Sequence, residues 1–167
     1  MIVRDADPAD LEQLTRIWHE GWHEAHARIV PIELTTLRTW ESFRHRLEHM
    51  SARVRIADSG LEAVGLCITR GAELYQLYVS SQSRGSGAAV ALIVDAERRL
   101  LASGEKSAWL ACAIGNERAA RCYERNGWQR VGTMINLAET DTGTFPLEVW
   151  RYEKLLAPET TAGVSTA

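Results

Sequence analysis

The sequence predicts one α/β (α+β) domain: a mixed central sheet of about seven strands flanked by about four helices, in the order β-α-α-β-β-β-α-β-α-β-β. Three observations predict it. Leu11, Leu14, Trp18, Trp22 and Ala25 recur at helical period near the start of the chain. "RVRIAD", "LEAVGLCITR" and "AELYQLYV" then follow one another as β-favouring runs separated by turn residues. Beyond them, helical and strand patterns alternate to the end.

Each element has its own signal. "MIVRDA" reads as an opening strand. Asp7 before Pro8 pairs an N-cap residue with a proline suited to the first helical position. Pro31 is expected to end that first helix. A second helix is expected from about Thr35 to His49, with Leu37, Trp40, Phe43 and Leu47 inward. "SG" joins the next two strands as a tight turn. "RGSGAAVALIVDAERRLLASG" is a glycine loop feeding a helix that ends at Gly104. Its first half is nearly all apolar and should be buried. "SAWLACAI" is a strand. "GNERAARCYERNG" is a helix with Asn116 as N-cap, Glu117 in the positive first turn and Gly127 as its stop. "WQRVGTMI" and "FPLEVWRYEKL" close the domain around a polar loop, residues 136–144.

The 167 residues suit a single domain, 1–155, with 156–167 expected to be a disordered tail, in which "APETTAGVSTA" lacks large apolar residues. Hydrophobic residues are 46% and charged residues 25%, in the range of globular proteins. The net charge of −3 gives no support for a nucleic-acid partner. No apolar stretch is long enough to span a membrane, and the start carries no secretory signal, so a cytoplasmic location is expected. Cys67, Cys112 and Cys122 are odd in number and lie in apolar or helical stretches, as free thiols in a reducing compartment do.

The most informative stretch is "LYVSSQSRGSGAAVALI". A strand ends at Val79, Gly85 and Gly87 form a loop, and a helix begins at once. Glycines there let the backbone turn and let a ligand approach the main chain. The unpaired N–H groups of the first helical turn, at the positive end of the helix dipole, suit a phosphate or pyrophosphate. Arg84 adds a charged donor. The loop lacks the lysine of a P-loop, and "GSGAAV" lacks the third glycine of a dinucleotide fingerprint.

With "AIGNERAARCYERNGW" downstream, the chain resembles the GNAT superfamily of N-acetyltransferases. The family's Arg/Gln-x-x-Gly-x-Gly/Ala signature is met in two overlapping registers, Gln82 to Gly87 and Arg84 to Ala89. The segment from Asn116 through Tyr123 to Gly127 and Trp128 is similar to its second signature, and the element order agrees. The resemblance covers about residues 1–155. It implies acetyl-CoA as co-substrate, with the pyrophosphate on Arg84, Gly85, Ser86, Gly87, Ala88 and Ala89. It implies a pantetheine arm between two splayed strands, along Leu77, Tyr78 and Val79, and a cofactor contact from Asn116. It also implies Tyr123 as general acid for the departing thiolate, and Glu73, at the start of its strand, as candidate base. The acetyl group would pass directly to a primary amine of a small molecule or peptide. Trp22 and His26 are candidates to touch that acceptor, and a homodimer is compatible with the fold. An alternative on the same fold is a non-catalytic acyl-CoA-binding module.

A competing motif precedes all of these. His19-Glu20-Gly21-Trp22-His23 matches the zinc-peptidase pattern His-Glu-x-x-His. At about 100° per residue, His19, His23 and His26 share one helix face. A catalytic zinc needs a third ligand and a substrate pocket that nothing in the spacing supplies, so no metal is expected. The flank of an ordinary amphipathic helix explains the pattern better.

Overall fold

The structure is a computed structural model that describes residues 1–50 and 53–157. Seven strands form one sheet: β1 (Ile2–Asp5), β2 (Val54–Asp58), β3 (Ala63–Arg70), β4 (Glu73–Val79), β5 (Ser107–Ala113), β6 (Gln129–Thr140) and β7 (Gly143–Leu155). Five helices accompany them: α1 (Leu11–His26), α2 (Ile32–Leu37), α3 (Trp40–Glu48), α4 (Ala88–Ala102) and α5 (Glu117–Arg125). The strands lie in the order β1-β2-β3-β4-β5-β7-β6. Every neighbouring pair is antiparallel except β4 with β5. The expected mixed sheet of seven strands is therefore present, with five helices where about four are expected, three of them rather than two between β1 and β2. Of the expected tail, 156–167, Leu156 is instead buried in the core and its N–H donates to the Lys106 carbonyl at 2.9 Å; residues from 158 on lie outside the described residues.

The sheet is covered on both faces, and strand alternation sorts its side chains. Cys67 and Ala57 point into one core with Leu92, Ile93 and Ala96 of α4 and Tyr123 of α5. Leu66, Ile68 and Ile56 point into the other with Leu14, Trp18 and Trp22 of α1 and Phe43 of α3. This explains why "AVGLCI" in β3 is an unbroken apolar run. All six residues are buried, because helices cover both faces of the strand.

The stretch between β1 and β2 corrects the sequence reading. One helix over 35–49 was expected, and two short helices occupy the region. Thr39 divides them: its hydroxyl accepts the Ser42 N–H at 3.2 Å and caps α3. Pro31 does not end α1, which stops at His26; it stands at the start of α2. Leu37, expected inward, is exposed, and Leu34 is the buried residue of α2. The Asp7–Pro8 signal does start a helix, first as a single 3-10 turn (Pro8–Asp10). There the Asp7 carboxylate accepts the Ala9 N–H at 2.8 Å. At the other end of the chain the polar loop 136–144 is mostly strand. β6 and β7 pair continuously from Asn136↔Leu147 to Thr140↔Gly143, leaving only Asp141 and Thr142 as the turn.

Two irregularities shape the middle of the sheet. β4 carries a bulge: Ile68 pairs with Gln76 and Thr69 with Leu74, leaving Tyr75 unpaired. A bulge bends its strand and raises the local twist. Beside it, β4 and β5 share one paired position, Glu73↔Trp109. Past that vertex they part, while β4 stays paired to β3 and β5 to β7. The sheet thus contains an open V between Leu77–Val79 on one side and Ala111–Ala113 on the other.

Gly21 sets how closely α1 approaches that V. A Cβ built there would lie 2.8 Å from Cδ1 of Tyr78 in β4, and 3.7 Å from its Cβ. The clash is with the root of the ring, which cannot swing aside as a flexible tip could. Gly21→Ala should therefore lose stability despite alanine's helix preference of about 1 kcal/mol. Overpacking costs about 1–3 kcal/mol. A net loss of about 1 kcal/mol is expected in urea denaturation, and an unchanged or higher midpoint would show that the packing is loose.

Candidate active site

The loop after β4 is built for close approach to its backbone. Gly85 and Gly87 have φ of +78° and +87°, a region that favours glycine. Gly87 is the N-cap of α4, so the first N–H groups of a 15-residue helix open directly beside it. A Cβ at either glycine would meet nothing within 4 Å, so the space above the backbone is free. Ser86 turns its hydroxyl to the Ser83 carbonyl at 2.6 Å and tightens the loop.

This loop forms one wall of a cleft of about 580 Å³. The other walls are Leu77, Tyr78 and Val79 of β4, Ala119 and Tyr123 of α5, and Gly21 and Ala25 of α1. Arg84, Gly85, Gly87, Ala88, Ala89 and Asn116 also line it, so the fold gathers nearly every residue that the sequence singled out for a cofactor. Ser86 and Glu73 are outside its lining. Glu73 sits instead at the vertex of the V, where burial raises its carboxyl above the ordinary carboxylate range.

A second, smaller cavity of about 60 Å³ occupies the V itself. It is lined by His26, by residues 74–78 of β4 and by Ala111, Cys112 and Ala113 of β5. Leu77, Tyr78, Asn116, Ala119 and Tyr123 line both cavities. The V therefore links the α4–α5 side of the sheet to the α1 side, with Tyr123 at the junction. Tyr123 is 8% exposed, and burial holds its hydroxyl well above the ordinary phenol range, so it stays a proton donor. Asn116 performs the expected cap, accepting the Ala119 N–H at 3.3 Å, while also facing the cleft.

Several lining residues were not found from the sequence. Arg118, in the first turn of α5, and Arg84 both face the cleft, and both are held by Glu24 of α1. The two guanidinium groups, Arg84 first, draw the Glu24 carboxyl down to about 2. Glu24 lies 60 residues before Arg84 and Arg118 lies far beyond it in the chain, and no local spacing announces their meeting there.

The histidine face of α1 resolves into packing. His23 Nε2 lies 2.6 Å from the Arg38 carbonyl. His26 Nδ1 lies 2.9 Å from the Trp22 carbonyl, and the His26 ring stacks on Trp22 at 4.9 Å. A carbonyl can only accept, so Nδ1 carries the proton and Nε2 of neutral His26 is a free acceptor. Trp22, 6% exposed, is a core residue against Phe43. Among the described residues no group of three or more His, Cys, Asp or Glu side chains could hold a metal ion. Burial pushes the Cys67 and Cys112 thiols up to about 12 and raises that of Cys122, which makes all three poor nucleophiles near neutral pH.

Residues 11–128 match the model of the acetyltransferase (GNAT) family. The chain belongs to that family. Its fold recurs in a GCN5-related N-acetyltransferase from Rhodopseudomonas palustris at a TM-score of 0.72 and 19% identity, over 93% of this chain and 95% of that one. A ribosomal-protein-alanine N-acetyltransferase from Brucella melitensis superposes at 0.65 and 18% identity, over 93% and 100%. The yncA structure from Salmonella typhimurium, solved with its cofactor acetyl-CoA, superposes at 0.64 and 15% identity, over 98% of each chain. At these identities the likeness establishes the fold. No curated protein matches the sequence significantly.

Burial draws the imidazole of His26 down to about 4. An unfolded histidine ionises near about 6.5. The unfolded chain therefore takes up the proton first. Stability from this site is complete above about pH 6.5 and is lost as pH falls toward 4. Burial lowers His19 in the same direction. Urea midpoints measured from pH 7 to 5 should fall in the wild type and fall less in His26→Gln. Equal slopes would mean that His26 ionises freely in the fold.

Proposed function

We propose that this chain is an acetyl-CoA-dependent N-acetyltransferase that moves an acetyl group directly to a primary amine. One observation carries the reading: an open phosphate-sized loop and helix start continue, through the V between β4 and β5, to the opposite face of the sheet. The cofactor enters from the α4–α5 side with its pyrophosphate on the N–H groups of residues 84–89. Arg84 and Arg118 stand at the rim to meet its charge. The pantetheine arm lies along Leu77–Val79 and takes up strand backbone groups that β5 leaves unpaired. Asn116 borders it from the start of α5.

The thioester then lies at the V, and the amine arrives from the α1 side. There His26 offers Nε2 to an amine N–H, and its neighbour Trp22 holds the imidazole in place. An amine enters as an ammonium ion and must lose a proton before attack. Glu73 accepts that proton through water and passes it to solvent. The neutral amine attacks the thioester carbonyl, and a β4 backbone N–H stabilises the oxyanion. On collapse the C–S bond breaks and Tyr123 donates a proton to the leaving sulfur. The nitrogen of the adduct returns a proton to Tyr123, so no phenolate of high energy is left behind. The balance is one amide, one thiol and one proton released.

The three cysteines take no part, which fits direct transfer without an acyl-enzyme. Thiol release from acetyl-CoA, followed with a panel of primary amines, tests the reading. Tyr123→Phe should lower kcat about 100-fold or more while leaving the KM for acetyl-CoA within about twofold. Retention of full kcat would remove Tyr123 from the chemistry. An absence of thiol release with any amine, together with tight acetyl-CoA binding, would favour a non-catalytic acyl-CoA-binding module.

A further inference from the structure

The α1 side of the sheet holds an arrangement that the transfer chemistry does not use. Five buried side-chain polar atoms among the described residues lack a hydrogen-bond partner: Trp18 Nε1, Thr35 Oγ1, Arg38 Nε, Arg46 Nε and Arg99 Nη1. Four of these five belong to α1, α2, α3 and the link between the last two. Three of the four are groups that can only donate.

Two arginines dominate this layer. Arg38 is 4% exposed, and its guanidinium lies 5.7 Å from the Trp22 ring centre. Arg46 lies 4.3 Å over the Trp18 ring. Trp18 and Trp22 are one turn apart on α1, so the two cations are neighbours. Burial first, and the charge of Arg46 second, bring Arg38 down to about 10. Their polar contacts within the chain are uncharged at the acceptor. Arg38 Nη1 donates to the Glu139 backbone carbonyl, and Arg46 Nη2 donates to the Tyr75 hydroxyl at 2.8 Å.

The carboxylates facing this layer act on the arginines only at a distance, without direct contact among the described residues. Glu139 is paired with Arg70 at 2.6 Å and accepts the Tyr75 hydroxyl at 3.3 Å. Asp141, in the β6–β7 turn, and Glu73, at the vertex, form no ion pair with either arginine among the described residues. A buried cation is costly unless paired, and cation–π contact offsets only part of that cost. The two adjacent arginines thus keep idle donors and touch no carboxylate directly; the charge of Glu139 reaches Arg46 only across the Tyr75 hydroxyl.

The layer adjoins the V. Tyr75, which receives the Arg46 hydrogen bond, lines the small cavity, and Trp22, beneath Arg38, stacks on His26, which lines it too. We infer that the acceptor is a small primary amine that also bears a carboxylate, an amino acid, with its amine at the V and its carboxylate on Arg38 and Arg46. This rests on the acetyltransferase reading and names its substrate class. Arginine suits the task because its planar donors match a carboxylate in pairs.

Two measurements test it. The first compares amino acids with their carboxamides as acceptors. A carboxylate preference of about 100-fold or more in kcat/KM is expected, because a carboxamide leaves buried charged donors unpaired. Arg46→Met, which keeps the stem over Trp18, should abolish most of that preference with the KM for acetyl-CoA unchanged; Arg38→Met should do the same if it folds. Equal use of acid and amide, or a uniform loss on both in Arg46→Met, would overturn the assignment and leave the arginines as packing groups with trapped water. The second measurement needs no turnover: calorimetric titration of N-acetyl amino acids against their amides into the wild-type protein. Binding of the acid alone supports the site even if no amine is acetylated. Binding of neither, or of both alike, sinks it, whether or not acetyl transfer is observed with other amines.

Discussion

The parting of β4 from β5 is the constraint on which the rest of the molecule depends. A central strand pair ordinarily satisfies its backbone groups across the sheet. Here the pair holds at one position, and each strand keeps only its outer neighbour. The bulge at Tyr75 bends β4 away, and the seven-residue pairing of β5 with β7 draws β5 the other way. The inner edges of both strands are left to face each other across a gap. Leu77, Tyr78 and Val79 are only half-buried in the middle of a seven-stranded sheet for this reason, while β3 beside them is sealed on both faces.

The other elements follow from that opening. The glycine loop emerges where β4 ends, so the positive end of α4 stands at the mouth of the gap. α5 supplies Asn116 and Tyr123 from its far wall. α1 closes it from the opposite face, and Gly21 lets the helix come down onto Tyr78. The histidine motif that suggests a zinc helix owes its glycine to this contact and its second histidine to the Arg38 carbonyl. Glu24 gathers Arg84 and Arg118 at the rim. These side chains are partly exposed, so the network adds little stability. Its effect is to hold two cations beside the cleft.

The legible parts of the sequence were those whose cause is local. Gly85, Gly87 and Asn116 carry their signals within a few residues, and the structure places them at the positive-φ turn and the helix cap that such residues favour. The unbroken apolar run of β3 announced a strand covered twice. The segment between β1 and β2 was misread because Leu37, Trp40 and Leu47 keep helical spacing across a break. That break is made by Thr39, which prefers to cap α3 over continuing α2. The β6–β7 loop was misread because polar strand residues look like loop when half of each strand faces solvent. Contacts across long separations, such as Glu24 with Arg84 or Arg38 with Glu139, leave no mark on spacing at all.

The central claim is that the V between β4 and β5 receives the cofactor arm from the glycine-loop side. Amide chemical shifts followed while acetyl-CoA is added to the labelled protein test it most directly. The account predicts the largest changes at residues 77–79, 84–90 and 111–113, with α3 and β1 little affected. Changes confined to the glycine loop, with Leu77–Val79 and Ala111–Ala113 unmoved, would contradict it, because the strands would then part without admitting a ligand.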